Sequence, residues 1–536
     1  MKPYRGRILA LALGLSALAA LPWVPNGSAL APPIIAILLA LVTRRLFLSL
    51  GSAVLVGALL HKGLGAGLRD YAWKNALEPS HLYIIGFTLA LLGMVQVTAR
   101  SGGARGIVEA VARWVRSARG TKLGTFAMGV LVFFDDYANC MLVGPTMRPF
   151  ADRYRVSREK LAYIVDSTAA PISGIVLIST WVGYEAGLLG DVAKTLGLSE
   201  SGYALLFSAL PFRFYCVLTL VFVFVSSYFD RDFGPMLTAE RRAREHGKLV
   251  RDGAKPLGGD SERHAEPPPG APLRWINAAL PVGVVVLGTL GGLVVDGGGL
   301  EKLGPRSALS FAFWRETLSA SENNVQVLFA AALAGAAVAI VLPLGQRILS
   351  PAQSLGAFLR GVKAGASAVL VLLLAWALAA VCKDLGTGPV LVAAVGKSLP
   401  TVMVPVVTFV VAAAVAFATG TSWGTMAILI PTAVPLAHAT GSEPLTLLTM
   451  ASVLDGAIFG DHCSPISDTT LMSSIAAGSD HVDHVATQLP YALTAMLAAL
   501  FGGYLPVALG WPPAAAYAMG VAMVVLAIFA LGRRVA

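Results

Sequence analysis

Charge is scarce in this sequence. Only 13% of its 536 residues are Asp, Glu, Lys or Arg, against roughly 25% in ordinary soluble domains. Hydrophobic residues make up 56%, so a water-soluble fold would lack the polar surface to cover itself. Cysteine is scarce as well. Cys140, Cys216, Cys382 and Cys463 lie far apart, in or near apolar stretches, and suggest neither a disulfide framework nor a CxxC metal site. Aromatic residues do not alternate with basic ones, which sets nucleic-acid binding aside. No serine-nucleophile motif is read among the serines and histidines, and the chain is expected not to be an enzyme.

What is abundant is long apolar sequence. Runs of about 17 residues or more recur along the chain, enough to cross a ~30 Å hydrocarbon core. Candidate spans fall at 8–24, 28–43, 46–62, 82–99, 160–183, 203–228, 275–296, 325–343, 366–382, 444–477, 488–509 and 513–532. They predict an all-α polytopic membrane protein with about 12 transmembrane helices. The net charge of +10 comes from 40 Lys and Arg against 30 Asp and Glu. These basic residues cluster beside apolar runs, as the positive-inside rule describes. Residues 1–22 have the pattern of a signal peptide, but further spans follow directly and an uncleaved first helix is expected.

The most polar stretch, 229–274, mixes Lys, Arg and Glu and ends in prolines. It is expected to be a solvated, flexible cytoplasmic linker. Consistent alternation of the spans puts Arg5, Arg7, Arg44, Arg45, Arg533 and Arg534 on the same side. That scheme requires 123–148 to enter and leave from one face, because basic residues flank it at both ends. Its legs, 123–134 and 141–148, are each too short to span, so it reads as a re-entrant hairpin with FDDYANC at the tip. Irregular backbone at membrane depth survives only where protein or water satisfies it, which marks the tip as a site.

The second half repeats the first. ANCMLVGPTMRPFAD aligns with GTMAILIPTAVPLAH, matching Pro145, Thr146, Pro149 and Ala151 to Pro431, Thr432, Pro435 and Ala437. PISGIVLIST (171–180) aligns with PISDTTLMSS (465–474). GTSWGT (420–425) then occupies the second tip, within a hairpin at about 400–437. Between Lys397 and Arg533 there is no Lys or Arg, as expected if that hairpin is rooted on the outer face. The division is therefore 1–45 N-terminal helices, 46–228 first repeat, 229–274 linker, 275–509 inverted second repeat and 510–536 C-terminal helix. Inverted repeats with interrupted helices place a site at the repeat interface near the midplane.

Ionisable groups inside a membrane cost on the order of 2.5–3.5 kcal/mol each and are functional candidates by default. Here they are Asp135, Asp136, Asp166, Asp455, Asp461, His462 and Asp468, with Asp384 near a helix end. Pro171 and Pro465 should interrupt their helices. The freed carbonyls and nearby hydroxyls would then form an oxygen-rich pocket suited to a small hard cation. A carboxylate that binds either a proton or a cation makes the two compete, which is the requirement for exchange.

Plainer readings stand beside these. Asp135 or Asp136 could cap a helix, as could Asp455 near a span start. Asp166 could be held by hydroxyls, and His462 could be a satisfied core histidine. His481, Asp483 and His484 could suggest zinc but lack a clear third and fourth ligand. Trp181 and Trp423 fit packing as well as substrate contact.

FFDDYANCMLVGPTMRP, KLAYIVDSTAAPIS, LLAWALAAVCKDLGTGP, ATGTSWGTMAILIPTAVPLAHA and GAIFGDHCSPISDTTLMSSIAAGSDHVDHVATQLPYAL resemble the NhaC-type sodium/proton antiporter family over most of residues 82–495. The resemblance implies inverted repeats, two re-entrant hairpins and broken helices. It also implies alternating-access exchange of sodium for protons in the cytoplasmic membrane, with both termini cytoplasmic. Relatives in the same family carry malate and lactate or amino acids, so coupled transport of an organic solute is the alternative. The candidate ion- and substrate-binding residues are Asp135, Asp136, Asn139, Asp166, Ser167, Thr168, Ser173, Thr421, Ser422, Thr425, Asp461, His462, Ser464, Ser467 and Asp468. Sodium is expected above all at Asp135, Asp136 and Asp166. No cofactor is expected. The partners are sodium, protons and the lipid bilayer, and a homodimer is the candidate assembly.

Overall fold

The computed structural model describes residues 21, 26–43, 45–112, 115–256, 267–268, 270–307, 310–387, 389–390, 393 and 400–535. The expected span 8–24 lies outside these apart from Leu21, as do Arg5, Arg7, Arg44, Lys397 and part of the central linker. Among the described residues the fold is helical throughout. Its one strand pair joins Arg231–Asp232 antiparallel to Arg533–Arg534.

Among the described residues, seven helices are long and apolar enough to cross a membrane, or eight if Gly202–Phe212 and Phe214–Phe229, bent by 49°, count as one. About twelve spans are expected from the sequence, and the difference has physical causes. Gly27–Ala40 and Phe47–His61 are apolar but short. The expected spans 160–183 and 444–477 are each interrupted.

In the first of these, Arg158–Ser167 ends, a single turn Ala170–Ser173 follows, and helix resumes at Thr180. In the second, Glu443–Cys463 stops and Asp468–Ala477 begins after Ser464–Ser467. Pro171 and Pro465 lack the amide hydrogen that a continuous helix needs at those points.

Helices differ in how much of their surface is inside the protein. The apolar window of Pro513–Leu531 is 22% buried and that of Ile276–Asp296 33%, against 61% for Pro79–Arg100 and for His481–Ala508. The first two therefore form the outer ring and the last two the interior. Leu287 and Leu526 are about two-thirds exposed or more. That would be unfavourable in water, but lipid tails are as apolar as leucine.

The described first part of the linker, 230–246, differs from the flexible loop expected. Helix Gly234–His246 packs onto the body, and Asp232 and Glu240 are fully buried. Their partners are two buried lysines. Lys122, in the first leg of the hairpin, bonds Asp230 and Glu240 (2.8 Å), and Lys160 bonds Asp232 at 2.7 Å. Ser157 donates both its amide and its hydroxyl to Glu240 at 2.8 Å. Burial by itself would raise Asp230 and Asp232, yet Lys122 and Arg244 hold Asp230, and Lys160 and Lys122 hold Asp232, below the ordinary 3.8. Some of the polar letters that suggested solvation, Asp230, Asp232 and Glu240, belong to a buried or half-buried ion-pair network, while Glu245, His246, Lys248 and Arg251 are exposed.

Candidate functional site

The first hairpin comprises Ala118–Leu131 and Asp136–Arg153. Asp135 caps the second leg, accepting from the Ala138 amide at 2.7 Å, and its other oxygen accepts from Thr180 Oγ1 at 3.1 Å. The capping reading thus holds for Asp135, while Asp136 is the first helical residue and caps nothing. Asn139 Nδ2 fixes the tip by donating to Gly129 O at 2.7 Å and Thr168 O at 2.8 Å. Ser173 Oγ donates to Phe133 O at 3.3 Å, and the Thr180 amide to Phe134 O at 3.1 Å. Carbonyls of Gly129, Phe133 and Phe134 at the tip and of Thr168 at the break are thus bonded by side chains and amides of the two segments, as buried backbone requires.

The second hairpin is Val404–Thr419 with Ser422–His438. Thr421 caps its second leg through the Gly424 amide at 3.3 Å, and Thr425 Oγ1 donates back to Thr421 O at 2.8 Å. Gly420 sits at φ 70°, where a Cβ would lie 2.7 Å from the Ile466 carbonyl, so only glycine fits. Ser464 Oγ donates to Phe417 O at 2.8 Å. Each tip is pinned to a break in the neighbouring helix.

The hairpins also reach across to the opposite half. The Tyr137 hydroxyl donates to Asp468, Cys140 Sγ lies 3.1 Å from Ser473 Oγ, and Tyr184 stacks on Trp423 at 4.2 Å.

Between the tips lies a cavity of about 800 Å³ lined by Asp135, Asp136, Thr421, Ser422, Asp461 and Asp468, with Trp181, Trp423, Arg105 and Arg360 also on its wall. Ser422 Oγ donates to Asp461 Oδ2 at 3.0 Å. Asp461 Oδ1 is buried with no hydrogen-bond partner among the described residues.

The other expected site residues lie behind this wall. Asn139, Ser173 and Ser464 hold backbone, as described. Thr168 Oγ1 donates to Ile164 O at 2.8 Å, and Ser467 caps Asp468–Ala477. His462 has both ring nitrogens engaged, Nε2 with Ser167 Oγ at 2.9 Å and Nδ1 with the Tyr215 hydroxyl at 2.7 Å. Asp166 is buried against Gln488 Nε2 at 2.7 Å and Ser473 Oγ at 3.4 Å.

His481 and His484 both contact the Ser474 hydroxyl, and Asp483 pairs with Arg251. Asp455 is no cap: it sits well inside Glu443–Cys463 and is ion-paired with Arg213 at 2.7 Å.

Arg213, Glu185, Tyr137 and Gln488 are absent from the sequence reading. Arg213 and Glu185 could have been found by the rule that selected the aspartates, since both are charges within apolar stretches. Tyr137 stands inside the FDDYANC tip itself. Gln488 carries no charge and gave no signal. The reading also overlooked that Gly420–Gly424 spells GTSWG, which has the letters of a hydrolase nucleophile elbow. That elbow requires a preceding strand and a histidine partner. Here a helix precedes it, and Ser422 bonds to an aspartate.

Carboxylates from the first hairpin tip and from the helices flanking the break at Ser464–Ser467, gathered around one cavity, suit ion-coupled transport, and the comparisons agree. A model of the Na⁺/H⁺ antiporter family matches residues 174–505. The chain belongs to that family. An uncharacterized protein of Haemophilus influenzae is 32% identical over 94% of this chain and 95% of its own length. The malate-2H⁺/Na⁺-lactate antiporter of Bacillus subtilis is 31% identical over a shorter stretch, 27% of this chain and 32% of that one. Among solved structures, the YdaH transporter of Alcanivorax borkumensis superposes with a TM-score of 0.55 at 16% identity, covering 84% of this chain and 90% of that one. At that identity the likeness concerns the fold. Family and fold neighbours are membrane transporters.

Proposed function

We propose that this member of the Na⁺/H⁺ antiporter family exchanges sodium for protons by alternating access at the cavity between its hairpin tips. The observation that carries the reading is the convergence of Asp135, Asp136, Asp461 and Asp468 on one cavity, the first three buried and Asp468 exposed, with Asp461 Oδ1 lacking a hydrogen-bond partner among the described residues. Three buried carboxylates beside a fourth are costly to hold ionised without cations. Protons and sodium ions are the two small cations that could neutralise them in turn. Asp136, Asp461 and Asp468, with the Thr421 and Ser422 hydroxyls, would be the cation ligands, and Asp135 would shape the tip.

The twofold pattern of hairpin, cap and proline break supports reading 46–228 and 275–509 as repeats of opposite orientation. Residues 229–274 would lie on the cytoplasmic face of the cell membrane with both termini.

A second reading has its own observation. About 800 Å³ falls within the range of pockets for small organic ligands and far exceeds one ion. Arg105 and Arg360 on its wall would suit an organic anion, the cargo named for the Bacillus relative. Purified protein in liposomes with a trapped pH dye separates the two readings. Sodium should dissipate an imposed pH gradient at clamped voltage, and Asp136→Asn should abolish the effect. If sodium, lithium and potassium all fail in folded protein, exchange of inorganic cations is wrong, and labelled carboxylates and amino acids are the next cargoes to try.

A further inference from the structure

Away from the cavity, a second group of charges is sealed inside the protein. Arg213, Glu185 and Asp455 are each 0–1% exposed, and the one guanidinium serves both carboxylates. Its Nε donates to Asp455 Oδ1 at 2.7 Å, while Nη1 reaches Glu185 Oε2 only at 3.5 Å.

The two acids are not equivalent. Asp455 also accepts from the Tyr215 amide at 2.7 Å, the Tyr504 hydroxyl at 2.8 Å and Cys216 Sγ at 3.2 Å. Four donors converge on Asp455, the arrangement that stabilises an ionised carboxylate. Glu185 has the single long contact, and its Oε1 is buried with no partner among the described residues. One positive charge against two negative ones leaves an excess negative charge, which a dry interior does not sustain. The donor count assigns the compensating proton to Glu185.

The position of Glu185 gives that proton a use. It lies on Thr180–Leu196, one turn after Trp181 on the cavity wall. Thr180, at the start of the same helix, donates to Asp135, and Tyr184 donates its hydroxyl to the Trp423 carbonyl at the second tip. Further along, Gly183, Ala186 and Gly187 line a separate cavity of about 330 Å³, so the helix forms a wall of both spaces. Other titratable groups around this helix include His81 from Pro79–Arg100, 3.0 Å from Asp191, Lys194, paired with Glu78, and Glu200, Tyr203 and Glu322 on the wall of the second cavity; the ion pair of Glu185 is with Arg213.

We infer that Glu185 is a proton-binding site of the exchange cycle, distinct from the cation-binding carboxylates of the cavity. In the step, the Glu185 carboxyl O–H breaks, the electron pair stays on the carboxylate, and the proton passes to a water molecule entering from a flanking cavity, which carries it away as hydronium. Arg213 turns toward the new carboxylate, and a sodium ion in the neighbouring cavity offsets the added negative charge. The role in transport rests on the sodium/proton reading above, while the protonation of Glu185 is testable by itself.

The test uses the full chain in bilayers with two readouts. Infrared difference spectroscopy should show a protonated carboxyl band that is missing in Glu185→Gln and shrinks when pH is raised or sodium is added. In liposomes, Glu185→Gln should slow sodium-driven proton movement at least tenfold while sodium/sodium counterflow continues, and Glu185→Asp should restore part of the coupling. The inference is overturned if the wild-type band is absent, if it ignores both pH and sodium, or if Glu185→Gln couples protons as the wild type does. Equal loss of both fluxes in Glu185→Gln with no rescue by Asp would also overturn it, as a structural role. A wild type that shows the responsive band but no sodium-driven proton movement would uphold the site and reject the antiport reading.

Discussion

The Tyr137 hydroxyl, at the tip of the first hairpin, donates to Asp468, the first residue of the helix that follows the break in the second half. This bond latches the two halves across the wall of the cavity. It also holds one of the four carboxylates in place.

Tyr137→Phe removes that donor and changes little else. Both partners are exposed, so the bond contributes about 0.5–1.5 kcal/mol, and about 1.4 kcal/mol is a factor of ten. The sodium concentration for half-maximal exchange should therefore shift by roughly two- to tenfold with the protein still folded. A sodium titration of the liposome assay measures it. An unchanged value would show that the latch does not position Asp468 for the ion.

Arg213→Ala should be among the most damaging single changes in the protein. It leaves Asp455 buried without its cation, and breaking one partner out of a buried pair costs about 3–5 kcal/mol. Arg213→Met combined with Asp455→Leu should be markedly less harmful, because no orphaned charge remains. Thermal unfolding in detergent ranks the three proteins.

Gly144 packs against the helix that bears Asp468. A Cβ there would lie 2.6 Å from Ala476 Cβ and 2.9 Å from the Ala476 carbonyl carbon, so the backbones must separate. Gly144→Ala should cost about 1–3 kcal/mol as an overpacked contact, and Gly144→Val more. The midpoint of unfolding should fall in that order, with transport falling alongside it.

The docked segment 230–246 should be acid-labile. Lys122 and Lys160 hold Asp230 and Asp232 below the ordinary 3.8 in the folded protein, so at low pH the unfolded segment binds more protons than the docked one. The stabilisation is complete above the unfolded value, about 3.9, and is lost as pH falls below it through the folded values. Amide hydrogen exchange, corrected for its intrinsic pH dependence, should show protection of 234–246 that holds near neutrality and fails on the acid side. Lys122→Met should weaken that protection at neutral pH as well.

The sequence by itself determined the membrane class, because apolar run length and charge scarcity act locally and survive without a fold. It also indicated the two breaks at Pro171 and Pro465, but Pro145, Pro149, Pro431 and Pro435 stand inside unbroken helices, so a missing backbone donor alone does not set a break. The aspartates of the cavity were visible for a related reason: a charge in an apolar run is conspicuous.

The tertiary structure decided the rest. Asp135 and Asp136 both border the cavity, but only Asp135, in extended backbone before the first helical residue, caps the helix. Asp166 and His462 lie behind the cavity wall because Gln488, Ser473, Ser167 and Tyr215, all distant in sequence or uncharged, engage them there. The segment 230–246 reads as solvated because its carboxylates find Lys122 and Lys160 only after the chain has folded back. Whether a charge is paired, capped or free depends on partners that can be hundreds of residues away, and only the packed chain brings them within hydrogen-bonding distance.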